Sequence, residues 1–284
     1  MGFGSFDEIC NRTALPLSNT MIFQIGNAFV HFGGLITFLI IIFNVRAKYT
    51  AIGRTEMLNF MYLLIALIVS SLIVDCGVAP PSSSTYAYFV ALQIGIASSC
   101  CICLLYNGLL FFQFWEDGTR KSMWLLRIAC FSWGVANFII PLITFKSWNT
   151  ALDFRKTTLM FVFTYLINAI ILATYVVLQV ILVFILRSKW AFGSILLGVF
   201  FFVAGQILTY VFSEGICKGA AHYVDGLFFG SVCNVFTVMM IYKFWDQLTT
   251  DDLEFSVANV EQVVGEFGGN GNNTLDEKSS SVFF

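Results

Sequence analysis

Polar positions fall along this chain in clusters, and between them run seven stretches that are almost wholly apolar: Met21–Phe43, Met57–Val78, Tyr88–Phe114, Ser122–Phe145, Leu159–Leu186, Trp190–Phe212 and Ala221–Tyr242. Each is about 20 residues or longer, the length a helix needs to cross ~30 Å of hydrocarbon. None alternates with the period of two of a barrel strand, and a backbone in lipid must satisfy its hydrogen bonds within its own segment. The pattern therefore predicts an all-α, polytopic membrane protein: a seven-transmembrane helix bundle. Composition agrees, with 58% hydrophobic and 11% charged residues, 32 phenylalanines and four prolines. The spans and their links fill most of the 284 residues, giving a short N-terminal segment (1–20), the bundle (21–245) and a tail (246–284), with no sizeable soluble domain.

Basic residues set the expected orientation. The first, third and fifth links and their flanks carry Arg46, Lys48, Arg54, Arg120, Lys121, Arg127, Arg187 and Lys189, and Lys243 opens the tail on the same side. The other side has Arg12, Lys146, Arg155, Lys156 and Lys218. Nine against five places the N-terminus in the lumen and the tail in the cytosol, although the fourth link runs against the trend. Asn11-Arg12-Thr13 then makes Asn11 a candidate lumenal glycosylation acceptor, whereas Asn272-Asn273-Thr274 is expected to stay bare in the cytosol. The polar N-terminus lacks the early apolar core of a cleavable signal, so the first span is expected to act as its own insertion signal.

Cysteines divide by depth. Cys100, Cys101, Cys103, Cys130 and Cys233 lie inside spans, where a thiol is usually a small packing residue. Cys10, Cys76 and Cys217 fall at the lumenal edge, and among three thiols at most one bridge can form. Net charge is uneven too: from Asp246 onward eight acids and one lysine give −7, leaving +5 on the rest. Rich in Gly, Asn and Ser and without sustained periodicity, this tail reads as disordered.

Polar groups inside hydrocarbon are costly, so their placement is informative. Gln24, Asn27, His31 and Gly34 share one face of the first span. Ala91, Gly95, Ser99, Cys103 and Asn107 form a four-residue stripe on the third. Ser194, Gly198 and Gly205–Gln206 mark the sixth, and His222, Asp225–Gly226, Gly230 and Asn234 the seventh. Such stripes let helices approach closely and exchange side-chain hydrogen bonds. Bundle packing explains them first; a ligand path or a surface for a partner's transmembrane helix is the other reading. Asp75, Glu214, His222 and Asp225 gather near the lumenal boundary, which raises an intramembrane metallohydrolase. The chain has only His31 and His222, however, and no HxxxH, HExxH or GxSxG string, so no catalytic, metal or cofactor site is expected. Asp75 and Asp225 are expected to hydrogen-bond bundle ends instead. Seven spans also suggest a heptahelical receptor, but Glu116-Asp117-Gly118 stands where an Asp/Glu-Arg-Tyr would follow the third span, and the seventh has Asn234-Val235-Phe236, not Asn-Pro.

Six strings carry a resemblance: Asn44-Val45-Arg46-Ala47-Lys48-Tyr49-Thr50-Ala51-Ile52-Gly53-Arg54; Val74-Asp75-Cys76-Gly77-Val78-Ala79-Pro80-Pro81; Phe114-Trp115-Glu116-Asp117-Gly118-Thr119; Phe201-Phe202-Val203-Ala204-Gly205-Gln206; His222-Tyr223-Val224-Asp225-Gly226-Leu227-Phe228-Phe229-Gly230; and Thr250-Asp251-Asp252-Leu253-Glu254-Phe255. From about Phe3 to Val257 the chain resembles the fungal chitin synthase export chaperones. That resemblance implies a non-enzymatic protein of the endoplasmic reticulum membrane that lets a polytopic chitin synthase fold and leave for the cell surface. Expected partners are the synthase, membrane lipid and vesicle coat proteins, with no nucleic acid. In one respect the chain departs from the family: relatives carry a longer, cysteine-bearing stretch where Leu17 here passes directly to Ser18, which leaves a disulfide at Cys10 open. Asp75, His222, Asp225, Gln24, Asn27 and His31 are the candidate structural or client-binding polar residues, with the first link (Arg46, Lys48, Arg54) as a second surface or a simple positive anchor. Phe283 and Phe284, together with Asp251, Asp252 and Glu254, are candidate export signals in the tail.

Overall fold

The structure, a computed structural model, describes residues 14–17, 20–23, 25–75, 85–112, 118–146, 158–187, 189–213, 215–216 and 226–269, with side chains described between 25 and 249. Seven helices are long and apolar enough to cross a membrane. They are α1 (Ile25–Ala47), α2 (Arg54–Asp75), α3 (Tyr86–Leu110), α4 (Arg120–Lys146), α5 (Thr158–Leu186), α6 (Lys189–Tyr210) and α7 (Gly226–Gly269). All seven expected spans are therefore present. The first begins later than the apolar run implied, because Thr20–Phe23 (β2) pairs antiparallel with Ala14–Leu17 (β1), Ala14 opposite Phe23 and Leu17 opposite Thr20. An apolar run reports burial but not backbone state, and Thr20, Ile22 and Phe23 suit a strand as well as a helix. At the other end α7 continues past the span to Gly269, so the segment read as a tail starts as helix. Leu253, Val257, Val260, Val264 and Phe267 recur there at helical spacing, a signal the overall polarity masked.

Helices adjacent in sequence pack as α1–α2, α2–α3, α3–α4, α5–α6 and α6–α7. Two further pairings, α3–α5 and α1–α7, close α1, α2, α3, α5, α6 and α7 into a ring, and α4 lies outside it, mainly against α3, with smaller contacts to α2 and the start of α5. Helices α1, α3, α5 and α7 begin at one end of the bundle, the N-terminal face; the opposite end is the tail face. The hub is α3, and its expected stripe of Ala91, Gly95, Ser99, Cys103 and Asn107 is buried throughout. At its crossing with α4, the Ser99 hydroxyl donates to Cys130 O of α4 (2.9 Å) and to its own Gly95 O (3.0 Å), so one side chain ties the two backbones.

Large apolar side chains such as Phe29, Phe43, Phe131, Phe184 and Phe200 point outward, as they should where the solvent is hydrocarbon. Trp124, Trp190 and Tyr49 are exposed around the tail face, in the position of an interfacial aromatic belt. Two helices bend their ladders. Pro141 in α4 has no N–H to give Asn137 O, and α5 opens with a π segment, Val162–Ile167. Cys100, Cys101, Cys103, Cys130 and Cys233 are free thiols within the spans; Cys10, Cys76 and Cys217 lie outside the described residues.

Candidate functional site

At the N-terminal face α2 ends on Asp75, whose carboxylate sits between two residues of α1. The Asn27 amide donates to Asp75 Oδ2 at 2.8 Å, and His31 Nε2 lies 3.0 Å from the same oxygen. The four-residue spacing of Asn27 and His31 puts both on the α1 side that meets α2, and both are buried. Three of the six expected polar residues thus form one cluster, which joins two helices. Gln24, His222 and Asp225 lie outside the described residues, as do Glu214, Asn11, Phe283 and Phe284. The backbone at Asp251, Asp252 and Glu254 is helical. Asp75→Ala is expected to destabilise the bundle by roughly 1–3 kcal/mol, because Asn27 keeps a buried amide without its acceptor. Fluorescence-detected size exclusion after a heating series should show the earlier loss, with Asp75→Asn intermediate. An unchanged midpoint with lost client binding would move Asp75 from the bundle's packing to its working surface.

The tail face holds a carboxylate that the sequence reading missed. Glu56, at 0% exposure, lies in the first turn of α2. It accepts from the Gly118 N–H at 2.9 Å, from the Ser122 hydroxyl at 3.3 Å and from Thr55 Oγ1 at 2.7 Å. Ser122 in turn meets the Tyr106 hydroxyl of α3 at 2.9 Å. One acid therefore ties the start of α4, and through Ser122 the end of α3, to the start of α2. An apolar run that starts at Met57 leaves Glu56 in a link and hides it. Its one available signal was a lone acid one position before an apolar run.

Beside it, the first link is fastened to α7. Lys48 pairs with the Asp246 carboxylate, Lys243 reaches the same group at 3.1 Å, and the Lys48 ammonium lies 5.8 Å from the Trp245 ring centroid. Trp245 Nε1 donates to Ile52 O at 3.1 Å. Gly53 closes the link with a φ of +68°, a backbone state that favours glycine. Arg46 bonds the Tyr62 hydroxyl, and Arg54 lies 5.5 Å from the Tyr49 ring. The three basic residues of this link are thus engaged with the bundle's own aromatic and acidic groups.

Midway through the membrane Asn168 of α5 joins three helices. Its amide donates to Ser98 Oγ of α3 at 2.8 Å and to Thr164 O within the π segment at 2.8 Å, while its oxygen accepts from Trp133 Nε1 of α4 at 3.0 Å. The Asn168 side chain thus bonds the backbone of the irregular turn as well as two neighbouring helices. On the far side Ser194 of α6 donates to Gln247 Oε1 of α7 at 2.7 Å.

In each cluster the polar groups bind one another across helices and hold the bundle together; among the described residues no three His, Cys, Asp or Glu side chains are placed to hold a metal ion. Fold and site together define a multi-pass helical membrane protein whose intramembrane polarity serves helix association. This chain belongs to the chitin synthase export chaperone family, whose profile matches residues 4–259. It is 67% identical to the chitin synthase export chaperone of Candida albicans over all of both chains, and 66% identical to that of Debaryomyces hansenii over the same extent. The Saccharomyces cerevisiae chitin synthase export chaperone is 52% identical over 88% of this chain and 80% of its own. The alignment with the Candida albicans protein spans 313 positions, 29 more than the 284 residues here, so the relative has sequence that this chain lacks. No solved structure matches the chain.

Proposed function

We propose that this chain is a non-enzymatic membrane chaperone that promotes the folding and endoplasmic reticulum export of a chitin synthase, and through it cell-wall chitin synthesis. The observation that carries this reading is the 67% identity, end to end, with a relative bearing the name chitin synthase export chaperone. The physics suits it. A polytopic client with unassembled helices needs a lipid-embedded partner whose contacts are individually weak, on the order of 1 kcal/mol, and so exchangeable. A strain lacking the chain should hold chitin synthase in the endoplasmic reticulum and lose wall chitin while other cargo leaves normally. Tagged chain should also bring chitin synthase down from a mild detergent extract. Chitin synthase reaching the cell surface at the normal rate in the deletion strain would sink the proposal.

The nine-to-five distribution of basic residues supports a lumenal N-terminal face and a cytosolic tail face. In that orientation the tail meets the vesicle coat. Phe283 and Phe284 are proposed as the export signal, with Asp251, Asp252 and Glu254 as a second contact, because a pair of aromatic side chains suits a shallow apolar pocket. Protease should remove an epitope placed after Phe284 from sealed microsomes. Changing both phenylalanines to alanine should leave abundance unchanged and at least halve packaging into vesicles budded in vitro. A protected epitope would refute the orientation, and equal packaging would refute the signal.

A further inference from the structure

On α7 the helix sides are well marked. Gly230 and Cys233 lie against Gly205 of α6, while Phe228 and Val235 lie against Gly26 and Gly34 of α1. Val238 and Trp245, four and eleven residues beyond Asn234 and so on its side of the helix, are buried in the main core. Phe229 and Phe236, on the opposite side, face outward at 40% and 41% exposure. Asn234 is thus on the core-facing side, yet it is exposed and makes no hydrogen bond to a described residue. It lies eight residues, roughly 12 Å, from Gly226, well inside the span.

Two neighbours repeat the pattern. Gln206 of α6 is half-exposed and without a hydrogen-bond partner among the described residues, although Ile195, eleven residues earlier on the same side, packs in the second core cluster. Ala169 of α5 is exposed, whereas Val183, fourteen residues later on nearly the same side, is buried. The interior between α5, α6 and α7 is therefore filled toward the tail face and open toward the N-terminal face. Helix α5, like α6 and α7, is less buried along its span than α1 to α4. It meets α6 where the Phe184 and Phe192 rings lie 6.0 Å apart near the tail face, and where Tyr165 meets Tyr210 near the other.

We infer that this opening is a docking cleft, entered through the α5–α6 seam, for a transmembrane helix of the client, which inserts a polar side chain between Asn234 and Gln206. An amide exposed at membrane depth needs both a donor and an acceptor. Acyl chains supply neither, whereas an Asn, Gln, Ser or Asp on an unassembled client helix supplies one or both. Occupied in this way, the cleft would hide such a residue until the client's own helices bind it. The inference rests on the chaperone reading above and adds the place and chemistry of the contact.

The test uses the full chain in cells with tagged chitin synthase. A photo-crosslinking phenylalanine analogue at position 234 should crosslink to chitin synthase, and the same probe at position 236, on the outward side, should do so at least five-fold less. Asn234→Leu should lower the chitin synthase recovered per chaperone about five-fold at unchanged chaperone abundance, and Asn234→Gln should restore at least half. Equal recovery with Asn234→Leu, or crosslinks from position 234 only to lipid or to a second copy of the chain, would overturn the inference. So would a fall in the variant's own abundance that Asn234→Gln repairs, since the amide would then belong to the bundle's packing. If the parent chain recovers no chitin synthase at all, the functional reading fails, and the cleft with it.

Discussion

Glu56→Ala is expected to be among the most damaging single changes in the protein, costing about 3 kcal/mol. The side chain is fully buried and accepts three hydrogen bonds, one of them from the Gly118 backbone N–H, so its removal strands a buried donor just before α4 and a hydroxyl on Ser122. Glu56→Gln should cost about half as much. Its amide oxygen can replace Oε1 toward Gly118 and Ser122, and its NH2 can donate to Thr55 Oγ1, which accepts as well as it donates. Detergent-solubilised protein should therefore lose its monodisperse elution at progressively lower temperature in the order parent, Gln, Ala. An alanine variant as heat-resistant as the parent would mean that α4 does not need the link to Glu56, and the account of the tail face would fail.

The second large effect is expected at the α3–α4 crossing. A Cβ on Gly95 would stand 2.9 Å from the Gly134 backbone oxygen and 3.2 Å from Phe138 Cβ, so Gly95→Val must push the helices apart. Overpacking of this kind costs roughly 1–3 kcal/mol, and here it also stretches the Ser99 bond to Cys130 O. Gly134→Ala meets a different obstacle, the Ser99 hydroxyl, which a second substitution can remove. Ser99→Ala alone loses one bridging hydrogen bond, about 1 kcal/mol. Combined with Gly134→Ala it should cost less than the two single changes added together, with a coupling of about 1 kcal/mol or more. Strict additivity in thermal unfolding would show that the glycine and the serine do not share this space.

The sequence was informative about elements and stripes for a physical reason. In hydrocarbon the length of an apolar run is the length of the helix, and a polar or small residue at four-residue spacing has nowhere to go but against another helix. Hence the seven spans, the buried Ala91-to-Asn107 stripe, and the placing of Asn27 with His31 on one face were all legible before any fold was known. The family was legible too, in strings such as those around Asp75 and Gly118. What periodicity could not give was pairing. Asp75 was readable as a polar end of a helix, but that its partners are Asn27 and His31 depends on α1 packing beside α2. Glu56 looked like one more charge in a loop until α3 and α4 closed over it. The Lys48–Asp246 pair joins residues that only the α1–α7 contact brings together. Asn234 shows the limit most plainly: spacing assigns it to a packing face with Gly226 and Gly230, and only the tertiary arrangement leaves it uncovered. A helix's own sequence fixes the direction of each side chain; whether a neighbour stands in that direction is decided by the rest of the bundle.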